Sequence, residues 1–183
     1  MALLHTPKAE LGNPCPEFLL PTLVGGEFGL KNIPKDTPFV VMFICNHCPY
    51  VIAIEERLIT LGQDLKKQNI PLIAICSNDE KTYQEDSFEN LKKNYLNKKM
   101  SFTYLHDKTQ KVALAFGAVC TPDFFVYDHK HQLAYRGRLD DSWKEPKNVF
   151  KRELYEAVML LKEKKLVPEN QTSSMGCSIK WIG

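Results

Sequence analysis

No stretch of this 183-residue chain approaches the ~20 consecutive apolar residues of a spanning helix. Its opening, Met1-Ala2-Leu3-Leu4-His5-Thr6-Pro7, lacks a positive n-region and an apolar run of signal-peptide length. A cytoplasmic protein without a membrane partner is expected, a setting where a close cysteine pair is more often catalytic than structural. Neither sign of charge dominates. With 24 Lys and Arg against 22 Asp and Glu, the formal net charge is +2, so no nucleic-acid partner is implied. Repeats and biased tracts are absent, and 44% hydrophobic with 25% charged residues is ordinary globular composition. The length fits one domain with a sizeable core. A second CxxC is missing too, as is any HxxxH pair, so a four-ligand zinc site lacks its other half.

What the chain does have is Cys45-Asn46-His47-Cys48-Pro49. Before it runs Pro38 to Ile44, short, continuous and rich in β-branched and aromatic residues, as a buried strand is. After it, Val51, Ile54, Leu58, Leu61 and Leu65 recur at steps of three and four, predicting a helix over 50–68. Pro49 suits the first turn of that helix, where no intrahelical N–H is lost. The two cysteines therefore stand where a central strand hands over to a helix N-terminus. Their spacing, about one helical turn, lets the sulfurs bond. The positive helix end favours thiolate, and a CxxC cysteine there falls from about 8.5 to between about 3.5 and 7.5. His47 adds a group able to carry positive charge beside the thiolate, which makes the disulfide more oxidising. The competing readings are half of a zinc site, or two buried thiols that happen to be close.

Along the rest of the chain, Phe18–Val24 and Glu27–Leu30 read as two short strands around Gly25-Gly26. Residues 70–76 read as a strand closed by Cys76, and Cys15 as structural. The polar stretch 77–100 reads as a loop plus a surface helix whose charges form a solvated face. A short strand over 101–105 is followed by a helix over 108–116, capped by Asp107 and stopped by Gly117. Residues 123–127 and 132–136 form an antiparallel hairpin around His129-Lys130-His131. A last helix covers 147–163, with Phe150, Leu154, Val158 and Leu161 on one face. Residues 1–164 make the domain, and 165–183 an extended tail carrying Cys177. This order implies an α/β fold, a central mixed β-sheet flanked by helices, with an N-terminal β-hairpin extension.

Four blocks carry a resemblance: Cys45–Val51, the run Cys120-Thr121-Pro122-Asp123, Tyr135–Arg138, and Gly176–Trp181. With them the chain resembles thioredoxin-fold proteins, and more narrowly the peroxiredoxin-like redoxins related to the alkyl hydroperoxide reductase/thiol-specific antioxidant group. The resemblance implies a thioredoxin-like sheet in which Cys45 attacks and Cys48 resolves. It also implies a cis Thr121–Pro122 bond whose backbone faces an extended substrate. Two features depart from the pattern. The strand 38–44 has no buried acid to manage the second proton, leaving Glu55, Glu56 and Asp123 as candidates. The peroxidase pattern Pro-x-x-x-Thr/Ser-x-x-Cys is not met either. Taking Cys48 as the peroxidatic residue puts Cys45 in the hydroxyl position, and taking Cys45 puts Met42 there.

Thiol–disulfide exchange through Cys45 and Cys48, with Thr121 and Pro122 binding substrate, is the expected function. The partners are a protein or small-molecule disulfide and a cellular thiol reductant, with no cofactor and no resident metal. A thiol peroxidase passing through a sulfenic acid is the enzyme alternative. The alternative of another class is a soft-metal module in which Cys45, Cys48 and His47 or Cys120 hold an ion such as Cu(I). Cys120 and Cys177 are candidate secondary redox residues: the tail cysteine exchanges with Cys120 or the CxxC, or else Cys120 is simply a buried thiol. Arg138 reads as a surface ion pair with Asp140 or Asp141, and His106, His129 and His131 as solvated turn residues. Trp143 and Trp181 fit a groove or the core equally well.

Overall fold

The strand leading to the CxxC is buried on both faces because its residues alternate between two cores. In this computed structural model, which describes residues 3–183, Phe39, Val41 and Phe43 pack on one side of the sheet and Val40 and Met42 on the other. In chain order the elements are β1 Leu3–His5, β2 Leu19–Pro21, β3 Glu27–Gly29, β4 Phe39–Phe43, α1 Pro49–Ile52, α2 Glu55–Lys67 and β5 Leu72–Cys76. There follow α3 Phe88–Asn97, β6 Thr103–His106, α4 Lys111–Phe116, β7 Cys120–Thr121, β8 Asp123–Tyr127, β9 Leu133–Tyr135, α5 Glu153–Lys162 and β10 Met175–Ser178. The central sheet runs β6-β5-β4-β8-β9, with β4, β5 and β6 parallel and β8 and β9 antiparallel. The expected mixed sheet is the one found.

Helices α2, α3 and α5 cover one face through Leu58, Leu61, Leu65, Leu91, Leu154 and Val158. On the other face, Val112, Ala113 and Phe116 of α4 join Phe18, Leu20 and Leu30 around the β2–β3 hairpin. Each such leucine, valine or phenylalanine contributes about 1.5–3 kcal/mol on full burial. Thioredoxin topology follows: a parallel βαβ run that ends in an antiparallel hairpin.

Several boundaries differ from expectation for local reasons. The helix over 50–68 is two helices, broken at Ile54 (φ −112°, ψ 0°). Val51, Ile52 and Ile54 are β-branched and hold this turn of helix weakly. The last helix starts only at Glu153, because the Asp141 carboxylate accepts the Phe150 and Lys151 backbone N–H groups and ties that segment to the preceding loop. Phe150 is accordingly 86% exposed, not part of the α5 core face. Asp107 caps α4 from farther back than expected, with Oδ2 accepting the Ala113 N–H at 2.9 Å.

The largest difference is the tail. Residues 165–183 are not loose: β10 lies between β1 and β7 in a separate three-stranded antiparallel sheet. Ser174 Oγ donates to the Pro122 carbonyl at 2.9 Å, the Ile179 N–H to Val119, and the Lys180 N–H to Asn78 Oδ1 at 2.8 Å. Polar spacing alone hid this, since Gly176-Cys177-Ser178 carries little strand signal.

Candidate functional site

Strand β4 ends in the Ile44 N–H bond to the Ile75 carbonyl, and the chain then turns through Cys45-Asn46-His47 into α1. Cys48 is the N-cap of that helix and Pro49 its first residue. Both cysteines are reduced, Cys45 3% and Cys48 0% exposed. Opposite them the Thr121–Pro122 peptide is cis. Thr121 Oγ1 lies 3.3 Å from Cys45 Sγ, and the Cys48 thiol donates to the Thr121 carbonyl at 3.0 Å. Thr121 therefore touches both sulfurs, one through its side chain and one through its backbone.

The sulfurs are not equivalent. The Cys45 thiol donates toward Cys48, which lowers the Cys48 pKa; the Cys177 backbone N–H, the Cys177 thiol and the Thr121 hydroxyl act the same way. Burial opposes this, and the Cys48 sulfur also meets the Thr121 carbonyl as a donor. Cys45 is pushed the other way, by acting as donor to Cys48, by burial and by the nearby Asp86 carboxylate. Within this coupled pair the Cys48 pKa is lowered and the Cys45 pKa raised, each sulfur acting on the other.

Asp86 went unrecognised in the sequence. It lies in the stretch read as a solvated face, among Glu80, Glu85 and Glu89, with nothing in its spacing to set it apart. In the structure it is fully buried. Its carboxylate accepts from the Asn46 backbone N–H (2.7 Å), from Asn78 Nδ2 (2.7 Å) and from His47 Nδ1 (2.5 Å). His47 stacks on Tyr83 at 4.7 Å, and its buried Nε2 has no hydrogen-bond partner. Asp86, not Glu55, Glu56 or Asp123, is the carboxylate set against the CxxC. Glu55 is held by Lys98 and Asn94, and Glu56 is 82% exposed. Asp123 pairs with buried Arg136, whose Nη2 lies 2.8 Å from its Oδ2 and which also donates to the Gly117 carbonyl. That pair anchors the residue after the cis proline.

Cys45, His47 and Asp86 offer one ligand atom each within 4.8 Å of one another, the single such group among the described residues. A set of one sulfur, one nitrogen and one oxygen is not the thiolate-rich set that Cu(I) selects. The soft-metal combination of Cys45, Cys48 and His47 or Cys120 is not assembled.

Cys120 is fully buried beside the Pro122 carbonyl, its thiol pushed well up by burial. Cys177 is buried against Cys48, its pKa pushed up to about 11 by burial and by the Cys48 sulfur. Arg138 pairs with Glu153 through Nε (2.5 Å) and Nη2 (3.0 Å), not with Asp140 or Asp141. Asp140 is taken by Arg57 at 2.7 Å. His106 is 4% exposed at the end of β6, 3.7 Å from Glu80, and so is not a solvated turn residue. A groove of about 450 Å³ adjoins the site, lined by Tyr50, Pro122, Phe124, Arg138, Trp143 and Met175. Trp143 lies tilted over Tyr50 at 5.0 Å and remains 46% exposed.

Comparison with known proteins agrees with this fold. The model of the AhpC/TSA family matches residues 11–136. The chain is similar to an uncharacterized conserved protein from Geobacillus kaustophilus, at 40% identity and TM-score 0.93 over 100% of this chain and 97% of that one. It is also similar to a hypothetical protein from Sinorhizobium meliloti 1021, at 35% identity and TM-score 0.91 over 98% of each chain. A secreted Mycobacterium tuberculosis disulfide oxidoreductase, homologous to E. coli DsbE, shares the fold at 17% identity and TM-score 0.60 over 79% of this chain and 96% of that one. No curated protein matches. Together these support a redox function for a thioredoxin-fold chain. With more than half its length matched by the family model, the chain belongs to the AhpC/TSA family.

Proposed function

We propose that this protein is a thiol–disulfide oxidoreductase working through Cys45 and Cys48. One observation carries the reading: at the β4–α1 junction both CxxC sulfurs meet Thr121 before the cis proline, Cys45 at its hydroxyl and Cys48, the helix N-cap, at its carbonyl. The Cys48 thiolate attacks one sulfur of a substrate disulfide, whose S–S bond breaks and whose departing thiolate takes up a proton. Cys45 then gives its proton to the Asp86–His47 pair, within 4.8 Å, and attacks the Cys48 sulfur. The second substrate thiol leaves and Cys45–Cys48 is the disulfide product. A cellular thiol such as glutathione reduces it again. The groove beside Pro122, walled by Tyr50, Phe124 and Trp143, suits an apolar or aromatic side chain flanking the substrate disulfide.

The family match favours a second reading, peroxide reduction with a sulfenic acid on Cys48. Alkylation with peptide mass mapping across a graded glutathione redox buffer, with and without peroxide, separates the two. Reversible appearance of Cys45–Cys48 at a defined poise without peroxide supports the exchange reading. If both cysteines stay free at every poise and respond only to peroxide, through a trapped sulfenate, the peroxidase reading replaces it.

A further inference from the structure

The CxxC has a third cysteine against it, brought by a distant part of the chain. Strand β10 pairs antiparallel with β7, placing Cys177 opposite Thr121 and Ser178 opposite Cys120. Gly176 makes this approach possible: a Cβ there would stand 1.9 Å from the Thr121 carbonyl oxygen. The strand therefore reaches a depth that only glycine permits, and it sets Cys177 across from Thr121, whose carbonyl meets the Cys48 sulfur at 3.0 Å. Thr121 thus links the three cysteines: its hydroxyl lies against Cys45, its carbonyl against Cys48, and its backbone pairs with Cys177. The three sulfurs do not form a cluster with every pair inside 4.8 Å, as a metal group would.

We infer that Cys177 is a third redox-active thiol, and that Cys48 exchanges its disulfide bond between Cys45 and Cys177. This rests on the exchange chemistry proposed for Cys48. In the first branch Cys48, in mixed disulfide with substrate, is attacked by the Cys177 thiolate. The Cys48–substrate S–S bond breaks, Cys48–Cys177 forms, and the substrate thiolate departs and is protonated. Two electrons have passed from Cys48 and Cys177 to the substrate disulfide. In the second step the Cys45 thiolate attacks Cys48, Cys45–Cys48 forms, and Cys177 leaves as thiolate and is protonated with no net change of electrons. Cys120 has no part: it faces the Pro122 carbonyl and lies opposite Ser178, one register position away from Cys177.

A second consequence concerns access. Thr121 is where the backbone of an extended substrate would pair, and β10 occupies that edge. A Cys48–Cys177 bond would fix the strand covalently in that place, so in the relay form this edge cannot open to an extended substrate. The bond therefore marks a closed state of the site.

The test uses the full chain and glutathione disulfide as oxidant, with non-reducing peptide mapping. The Cys45→Ser variant is expected to form Cys48–Cys177 in place of Cys45–Cys48, and Cys120→Ala to leave both disulfides of the wild type unchanged. Partial oxidation of the wild type gives a readout free of any folding defect, since both Cys45–Cys48 and Cys48–Cys177 peptides are expected in one sample. If Cys45→Ser accumulates only Cys48–glutathione while Cys177 stays fully alkylatable, and the wild type yields Cys45–Cys48 alone, the relay is wrong although the exchange function stands. Failure of the wild type to form Cys45–Cys48 at any poise overturns the function itself, and the relay with it.

Discussion

Cys177 stands directly across from Thr121 in antiparallel register, so the residue that contacts both CxxC sulfurs is itself paired to the strand bearing a third cysteine. Strand β10 and the cis-proline loop are paired through Cys177 and Ser178, and the burial of Cys45 and Cys48 is expected to depend on that pairing.

Gly176→Ala tests that dependence. The added Cβ meets backbone, the Thr121 carbonyl oxygen and the Pro122 nitrogen, and backbone at a sheet pairing does not yield as a flexible side chain would. The expected result is a loss of stability of about 1–3 kcal/mol, the usual range for overpacking. Native-state alkylation of Cys45 and Cys48 should rise several-fold. Chemical denaturation and quantitative thiol labelling read the two effects separately. Unchanged stability together with unchanged labelling would show that β10 does not gate the sulfurs.

The ionisation of Cys48 makes a directional prediction. Its donors hold it below the ordinary cysteine value of about 8.5, and Cys45 lies above. A depressed folded value stabilises the reduced protein above the unfolded pKa, and this contribution disappears as pH falls through the folded value. The raised value of Cys45 works oppositely, stabilising below the unfolded pKa and lost as pH rises. The two partly cancel, so the overall stability-versus-pH curve is a poor reporter. Ultraviolet thiolate absorbance is the better one: one thiolate should titrate at acidic pH in the wild type and in Cys177→Ser, and vanish in Cys48→Ser. An acidic thiolate that survives Cys48→Ser but not Cys45→Ser would move the nucleophile to Cys45.

Much of this was legible in the chain, and what was not has a common cause. The hydrophobic run 38–44, the CxxC and the Thr121-Pro122 pair are local patterns whose meaning comes from their immediate neighbours, and the sheet and the site entrance follow from them. Asp86 is one acid among several in a polar stretch, and only the fold brings it 39 residues back to His47. Cys177 likewise depends on a pairing between residues more than fifty positions apart. Arg138 shows the same limit in reverse: nearby Asp140 and Asp141 looked like partners, yet the helix α5 presents Glu153 to it. Contacts made by local periodicity can be read from sequence, and those made by the packing of distant elements cannot.

Asp86→Asn separates charge from geometry. The amide keeps an acceptor for the Asn46 N–H and removes the negative charge that helps hold the Cys45 pKa up. In a Cys48→Ser background, where the coupling of the two sulfurs is gone, the pH profile of Cys45 alkylation should move to lower pH in Asp86→Asn. A stability cost of about 1–3 kcal/mol is expected from the disturbed buried donors. A profile that does not move would mean that the carboxylate only positions His47.

Trp143 offers the sharpest test of the groove as a place for substrate. It is 46% exposed and rests on Tyr50, so Trp143→Ala should cost little stability, within about 0.5 kcal/mol for a surface position away from the core. The groove it walls runs past Pro122 to Met175, alongside the sulfurs but not through them. Its loss should therefore leave the reaction with glutathione disulfide, which has no apolar side chain to fill the groove, at its wild-type rate. A peptide disulfide flanked by Phe or Leu should react with a KM raised several-fold and kcat little changed, because the lost contact is made equally in ground and transition states. Two outcomes count against the assignment. Equal slowing with both substrates would place Trp143 in support of the CxxC itself, and an unchanged KM for the peptide would mean that substrates approach from another side, across the edge that β10 now covers.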